Sequence, residues 1–219
     1  MEETDLIKQR YERRKRFESA DVKSFVHFVV KEREQVYQQI LKSHFNNLAE
    51  IEMLEIGAGN GSNLFIFNEA GIRWENITAN ELLEDRVADL KRNCPFAQVI
   101  PGDALLIDEN QKYDLIFQST VFTSILDDGF KKQLAEKMWR LLKPGGIILW
   151  YDFTFNNPNN ADVKRVGRQE IEKLFPETKN KWFKKVTLAP PIGRRVGILY
   201  PLFNVFSFLR THLIAVIKK

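Results

Sequence analysis

The sequence predicts an α/β fold in which a doubly wound parallel sheet carries helices on both faces. Three observations lead there. A short apolar run, residues 52–56, is followed at once by Gly57-Ala58-Gly59-Asn60-Gly61 and then by a helix-starting pattern with Leu64, Phe65 and Phe67. A second strand-length run, residues 76–79, leads to the acidic Glu81. Residues 147–153 are apolar almost without a break, as expected of a parallel strand covered on both faces. The first two observations together make a βαβ unit.

Taken in order, the glycine turn carries the most chemistry. Glycine lets a strand reverse into a helix with no Cβ in the way, so backbone N–H groups and the positive helix end can lie against a ligand. Glu81 stands 24 positions after Gly57, where a carboxylate can accept hydrogen bonds from both ribose hydroxyls of an adenosine. Its other reading is an ordinary surface glutamate that opens the next helix. The sixth position of the dinucleotide motif is Ser62 rather than glycine, which disfavours NAD. After a third strand, residues 97–100, Pro101-Gly102-Asp103-Ala104 offers a second carboxylate within reach of an adenine amino group. An adenosine without a second nucleotide fits this pattern better.

Further along, residues 129–142 read as a helix with Leu134, Met138, Leu141 and Leu142 inward. Lys143-Pro144-Gly145-Gly146 reads as its stop and turn. Asp152 stands out at the carboxyl end of the apolar strand that follows. It has two readings, a general base beside the acceptor or a cap that bonds loop N–H groups. The loop at residues 151–160 holds four asparagines, Asn157 among them, which suit both turns and sugar hydroxyls. Arg168 beyond it is positioned to orient an acidic group, and Tyr151 and Asn157 join it as substrate-contact candidates.

In their order along the chain, Leu54-Glu55-Ile56-Gly57-Ala58-Gly59-Asn60-Gly61, Glu81, Gly102-Asp103-Ala104, Tyr113-Asp114-Leu115-Ile116-Phe117 and Leu141-Leu142-Lys143-Pro144-Gly145-Gly146 resemble class I S-adenosylmethionine-dependent methyltransferases. The resemblance implies a Rossmann-like seven-stranded sheet of order 3-2-1-4-5-7-6 with the last strand antiparallel. It also implies S-adenosylmethionine as donor, held by Glu55, Gly57, Ala58, Gly59, Gly61, Asn63, Glu81, Leu82, Asp103, Ala104 and Gln118. Glu55 would meet the donor's amino group. Gln118 would lie by its methionine part or, alternatively, satisfy only nearby backbone groups. An N-terminal helix covers the methionine end in many such enzymes, which would bring Tyr11 and Arg14, or Arg13, to the sulfonium and the carboxylate. A tyrosine face favours a cation and a guanidinium favours a carboxylate. The segments Tyr-Glu-Arg-Arg at 11–14, Gln-Ser-Thr-Val-Phe-Thr-Ser-Ile-Leu at 118–126, Tyr-Asp-Phe at 151–153 and Leu-Arg-Thr-His at 209–212 resemble a subgroup found with bacterial surface-polysaccharide synthesis. That implies O-methylation of a glycan or small molecule, with N-methylation of an amine or idle cofactor binding as the alternatives.

The 219 residues read as one domain: a helical cap at 1–45, a cofactor-binding core at 46–155, and at 156–219 a substrate-side loop, a helix and the last two strands. In the cap, Phe25, Val29, Val36 and Ile40 form one apolar helix face. The single cysteine, Cys94, excludes an internal disulfide, and with three histidines no metal site is expected. Residues 1–17 are highly charged with no apolar core, so a cytoplasmic location without a secretory leader is expected. Net charge is +4, with basic residues gathered at 8–16 and 179–195. Acidic Glu12 and Glu18 interrupt the first group, which reads as a solvated helix face, and no nucleic-acid partner is expected. Residues 196–209 are apolar, broken by Pro201 and Asn204, and too short to span a bilayer. They read as a buried or lid helix before a final strand at 212–217. Attachment at a membrane surface near a lipid-linked acceptor is the other reading.

Overall fold

The computed structural model describes residues 2–13, 20–156 and 160–219, with backbone alone at 20–24. Its strands are β1 Met53–Ile56, β2 Ile77–Glu81, β3 Gln98–Pro101, β4 Tyr113–Ser119, β5 Leu142–Phe153, β6 Lys181–Leu188 and β7 Arg210–Lys218. They form one sheet of order β3-β2-β1-β4-β5-β7-β6. Pairing is parallel from β3 through β5, and β7 runs antiparallel to both β5 and β6. This is the architecture that the motif order implies.

Alternation along each strand sends neighbouring residues to opposite faces. Leu54, Ile56, Ile116, Ile148 and Trp150 pack on one face with α5 (Asp128–Leu141) and α6 (Arg168–Leu174). Met53, Leu115, Phe117, Leu149 and Tyr151 pack on the other with α2 (Ala20–His44) and α3 (Leu64–Ala70). Between them in the chain lies α4 (Glu84–Asn93), after β2. Val36, Ile40 and Phe25 of α2 are buried, as their spacing predicts. Val29 of the same helix is only half-buried, against the last helices of the chain. Tyr37 stacks on Phe67 at 5.8 Å and meets Phe117 edge-on at 5.3 Å, locking α2 to the sheet.

One local expectation is corrected. The helix α5 ends at Leu141, and Lys143-Pro144-Gly145-Gly146 lies inside β5 as an irregularity where the register with β4 shifts between Tyr113 and Leu115. Proline needs no N–H partner there, and the strand resumes its ladder at Ile147. The front piece is described as two helices, α1 (Glu3–Arg13) and α2, and residues 14–19 lie outside the described residues. Arg10 of α1 reaches Glu3 Oε1 at 2.5 Å and the carbonyl of Ser124 at 3.2 Å, and Leu126 N donates to the same Glu3 oxygen at 2.9 Å. These bonds fasten α1 across the carboxyl end of β4.

Candidate active site

The carboxyl ends of β1, β2 and β4 enclose a cavity of about 270 Å³, at the position where open α/β sheets take ligands. Gly57, Ala58 and Gly59 form its floor, together with Asn63 at the start of α3. Glu81, Leu82, Asp103 and Ala104 wall one side, with Ile125, Phe130 and Leu134 as further apolar lining. Glu81 is nearly sealed, and its carboxylate accepts from Gly59 N at 2.7 Å and Leu83 N at 2.9 Å. Asp103 accepts from Leu105 N at 2.9 Å and so caps a short 3-10 turn at the cavity rim. The helix α1 closes the top through Thr4, Ile7 and Tyr11, and Arg86 stacks on the Tyr11 ring at 4.4 Å.

The glycines divide by what surrounds them. At Gly59 the backbone is left-handed (φ +61) and a Cβ would meet nothing within 4 Å. At Gly61 (φ +86) a Cβ would sit 2.6 Å from Cys94 Sγ and 2.8 Å from Leu90 Cδ1, so this glycine is absent from the lining and serves close approach of α4. Gly61→Ala is therefore expected to lower stability by about 2 kcal/mol, read as a fall in denaturant midpoint. Gly59→Ala, with only the backbone strain, should cost about 1 kcal/mol yet weaken donor binding in calorimetry more than Gly61→Ala does.

A second cavity, about 740 Å³, adjoins the first. Tyr11, Thr120 and Ser124 line both, and the Tyr11 hydroxyl is 3.0 Å from Ser124 Oγ on that shared wall. Thr120 holds a left-handed backbone (φ 58) unusual for a branched residue, and its N–H donates to Tyr151 O at 2.8 Å. The rest of the second cavity is lined by Thr123, Asn156, Asn160, Thr211 and His212 with Phe153 and Phe155, by Val163, and by Ala189, Pro190, Pro191 and Arg194 from the segment after β6.

Several predicted residues sit behind these walls. Asp152 is fully buried, accepting from Thr123 Oγ1 at 2.8 Å and Gln118 Nε2 at 3.0 Å, and it lines neither cavity. The expectation of a base presented to the acceptor is corrected accordingly: its hydrogen bonds go to Gln118 of β4 and to the side chain and backbone of Thr123 in the loop after it. Gln118 is likewise sealed, with Oε1 taking Val121 N at 3.1 Å. Glu55 is fully buried behind the glycine loop, with Oε1 taking Asn63 Nδ2 at 2.8 Å, and Oε2 has no hydrogen-bond partner. Tyr151 points to the opposite face from Asp152 and bonds Thr187 Oγ1 at 2.9 Å. Arg168 belongs to neither cavity; it pairs with Glu172 at 2.9 Å and lies over Phe183 at 4.8 Å. Arg14 and Asn157 fall outside the described residues. Among the described residues no cluster of His, Cys, Asp or Glu is arranged to hold a metal.

The chain order hides two groups that the fold brings in. His212 comes from β7 and pairs with Phe153 of β5, its ring stacked on Tyr151 at 5.1 Å and Nδ1 3.1 Å from Thr211 Oγ1. Arg33 of α2 reaches Ser119 Oγ at 3.5 Å and lies over the Tyr151 ring at 4.8 Å. Burial, with the Arg33 charge nearby, lowers the His212 pKa to about 4, so this imidazole is neutral at pH 7. Burial raises Glu55 to about 8 and Asp152 to about 7, only partly offset by their hydrogen bonds.

These shifts give stability a pH dependence of definite sign. A carboxyl whose pKa is raised on folding binds its proton more tightly in the native state, so stability falls as pH rises toward the native pKa. His212 works in the opposite sense, but only below its unfolded value of 6.5. From pH 6.5 upward Asp152 acts to about 7 and Glu55 to about 8, and the melting temperature should decrease across that window. Thermal denaturation with Glu55→Gln should show a shallower decrease; an equal slope in the variant would remove Glu55 as a cause.

Comparison with known proteins agrees with this fold. Residues 53–146 match the family model described as a methyltransferase domain, a span from β1 through the glycine loop to Gly146. Solved structures share the fold. Magnesium protoporphyrin IX methyltransferase from Synechocystis PCC 6803, with bound S-adenosylmethionine, is 10% identical, with a TM-score of 0.66 over 100% of this chain and 98% of that one. A methyltransferase from Archaeoglobus fulgidus described as SAM-dependent is 15% identical, with a TM-score of 0.59 over 88% and 99%. A glycopeptide N-methyltransferase complexed with sinefungin is 13% identical, with a TM-score of 0.58 over 85% and 94%. No curated relative matches in sequence. Fold and domain together define a class I methyltransferase architecture. The matched domain and the shared fold support an enzyme, a methyltransferase that uses S-adenosylmethionine.

Proposed function

We propose that the protein transfers the methyl group of S-adenosylmethionine to a hydroxyl of a small molecule or glycan, in keeping with a role in surface-polysaccharide synthesis. The observation that carries this reading is the second cavity, which shares Tyr11, Thr120 and Ser124 with the first and is lined by hydroxyls, amides and aromatic rings. Sugars present hydroxyls to such amides and apolar ring faces to such aromatics. Among the described residues that line it none is a carboxylate, whereas Arg194 is present, which disfavours a cationic amine and suits an acceptor bearing phosphate or carboxylate.

The residues of the first cavity fit the donor. The Glu81 carboxylate keeps lone pairs for the ribose hydroxyls, Asp103 stands near the adenine side, Gly59 leaves room for close approach, and behind the glycine loop Glu55 Oε2 has no hydrogen-bond partner. Bound there, the donor supplies a methyl group already activated on a sulfonium. Tyr11, Thr120 and Ser124 then align donor and acceptor across the shared wall, and alignment supplies most of the acceleration. His212, neutral and lining the acceptor cavity, takes the hydroxyl proton as the new C–O bond forms. Asp152 and Gln118 are positioning residues that hold Thr123 and the loop after β4.

The deciding experiment is transfer of labelled methyl from S-adenosylmethionine to panels of sugars, sugar phosphates, phenols and amines. Label in alkali-stable ethers of the hydroxyl panel supports the reading. Label only in amines replaces it with N-methylation, and tight donor binding with no transfer to any acceptor would indicate an idle cofactor-binding protein.

A further inference from the structure

The segment between β6 and β7 folds as α7 (Pro190–Val196), a 3-10 turn, α8 (Tyr200–Phe203) and a second 3-10 turn. Its inner side is firmly held. Ile192, Val196, Tyr200, Phe203 and Leu209 cluster with Phe25, Phe28 and Val29 of α2, and the Phe28 ring stacks on Tyr200 at 5.3 Å. The Glu32 carboxylate accepts from Tyr200 Oη at 2.9 Å, Thr187 N at 3.0 Å and Asn204 Nδ2 at 2.8 Å. The outer side is apolar too, contrary to the expectation of a buried or lid helix. Ile198 is 85% exposed, Phe208 73%, Val205 65% and Leu202 63%, with Leu199 and Phe206 also exposed. A rigid segment that presents six large apolar side chains to solvent within eleven residues marks an interaction surface.

Charge says what covers it. Residues 178–219 contain nine Lys or Arg and no Asp or Glu, and Arg194 and Arg195 are exposed beside the apolar row. We propose that this face docks on an anionic lipid bilayer, the apolar row entering the headgroup boundary while the basic side chains meet lipid phosphates. A second copy of this chain is the poorer occupant, because an isologous contact would bring two basic faces together. No helix among the described residues is long and apolar enough to cross a membrane, so the contact is with the surface. Pro190, Pro191 and Arg194 of α7 also line the second cavity, so docking sets that cavity beside the headgroups; this last step rests on the proposed acceptor cavity and selects acceptors attached to lipid.

The test is co-sedimentation of the full chain with vesicles of phosphatidylcholine alone and with a third phosphatidylglycerol. Binding should rise at least tenfold with the anionic lipid and fall in high salt. The triple variant Ile198→Ser, Leu202→Ser, Phe208→Ser should lose at least tenfold in binding, while keeping its melting temperature and its affinity for S-adenosylhomocysteine. Absence of wild-type binding to anionic vesicles, or equal binding by the variant, overturns the proposal. So does a wild-type dimer in sedimentation velocity that the variant dissolves while vesicles bind neither. The S-adenosylhomocysteine titration tests the donor site separately, so the failure of one reading is distinguishable from that of the other.

Discussion

Glu81→Ala should weaken S-adenosylhomocysteine binding by about a hundredfold in calorimetry, with the fold retained by circular dichroism. The carboxylate already organises the loop, holding Gly59 N and Leu83 N at 2.7 and 2.9 Å, and it sits in the wall of the donor cavity. Two ribose hydroxyls donating to a nearly sealed anion contribute about 3 kcal/mol together, at 1.4 kcal/mol for each tenfold in affinity. Glu81→Gln separates the contributions, because an amide can accept from one N–H but turns a donor toward the other. It should lose affinity by an intermediate factor. An alanine variant that binds within threefold of wild type would remove Glu81 from the ribose and reduce it to a brace for the glycine loop.

His212→Ala should lower kcat for a hydroxyl acceptor by about a hundredfold, the lower range for loss of a general base, with the donor's KM little changed. The pH profile distinguishes this from a loss of packing on Tyr151. With the native imidazole pKa near 4, kcat in the wild type should be flat through neutrality and fall only on an acidic limb near that value. The variant should lose the limb, and His212→Gln, which keeps volume without the basic nitrogen, should be as slow as alanine. A profile unchanged in the variants, or activity restored by glutamine, would assign His212 to structure. Asp152 provides a contrast: its raised pKa of about 7 belongs to a sealed group whose oxygens are taken by Thr123 and Gln118, so its titration reports stability.

Much of the proposed donor site was legible because it is local. The turn at Gly57 to Gly61, Glu81 closing the next strand and Asp103 after the third are each specified by a few consecutive residues whose backbone demands are strict. They reappear around one cavity, save Gly61, whose missing Cβ makes room for Cys94 and Leu90. The acceptor side was less legible. Asp152 looks exposed at a strand end in sequence, and only the arrival of Gln118 from β4 and Thr123 from the following loop shows it enclosed. His212 gave a weak signal, one histidine in the last strand, and Arg33 gave none, being one of several charges along α2.

The resemblance that the motifs carry implied the order of the strands, while from residues alone came the α/β class and the glycine loop proposed to take the donor. Each depends on short-range rules: the φ values that glycine tolerates, the apolar runs of buried strands and the reach of a carboxylate at a strand end. The tertiary structure alone decided which charged groups are sealed and which line a cavity, because burial depends on neighbours distant in the chain. It paired β7 with β5 and so carried His212 to Phe153. It also left the outer row of residues 198–208 uncovered, since α2 offers an apolar face to only one side of that segment.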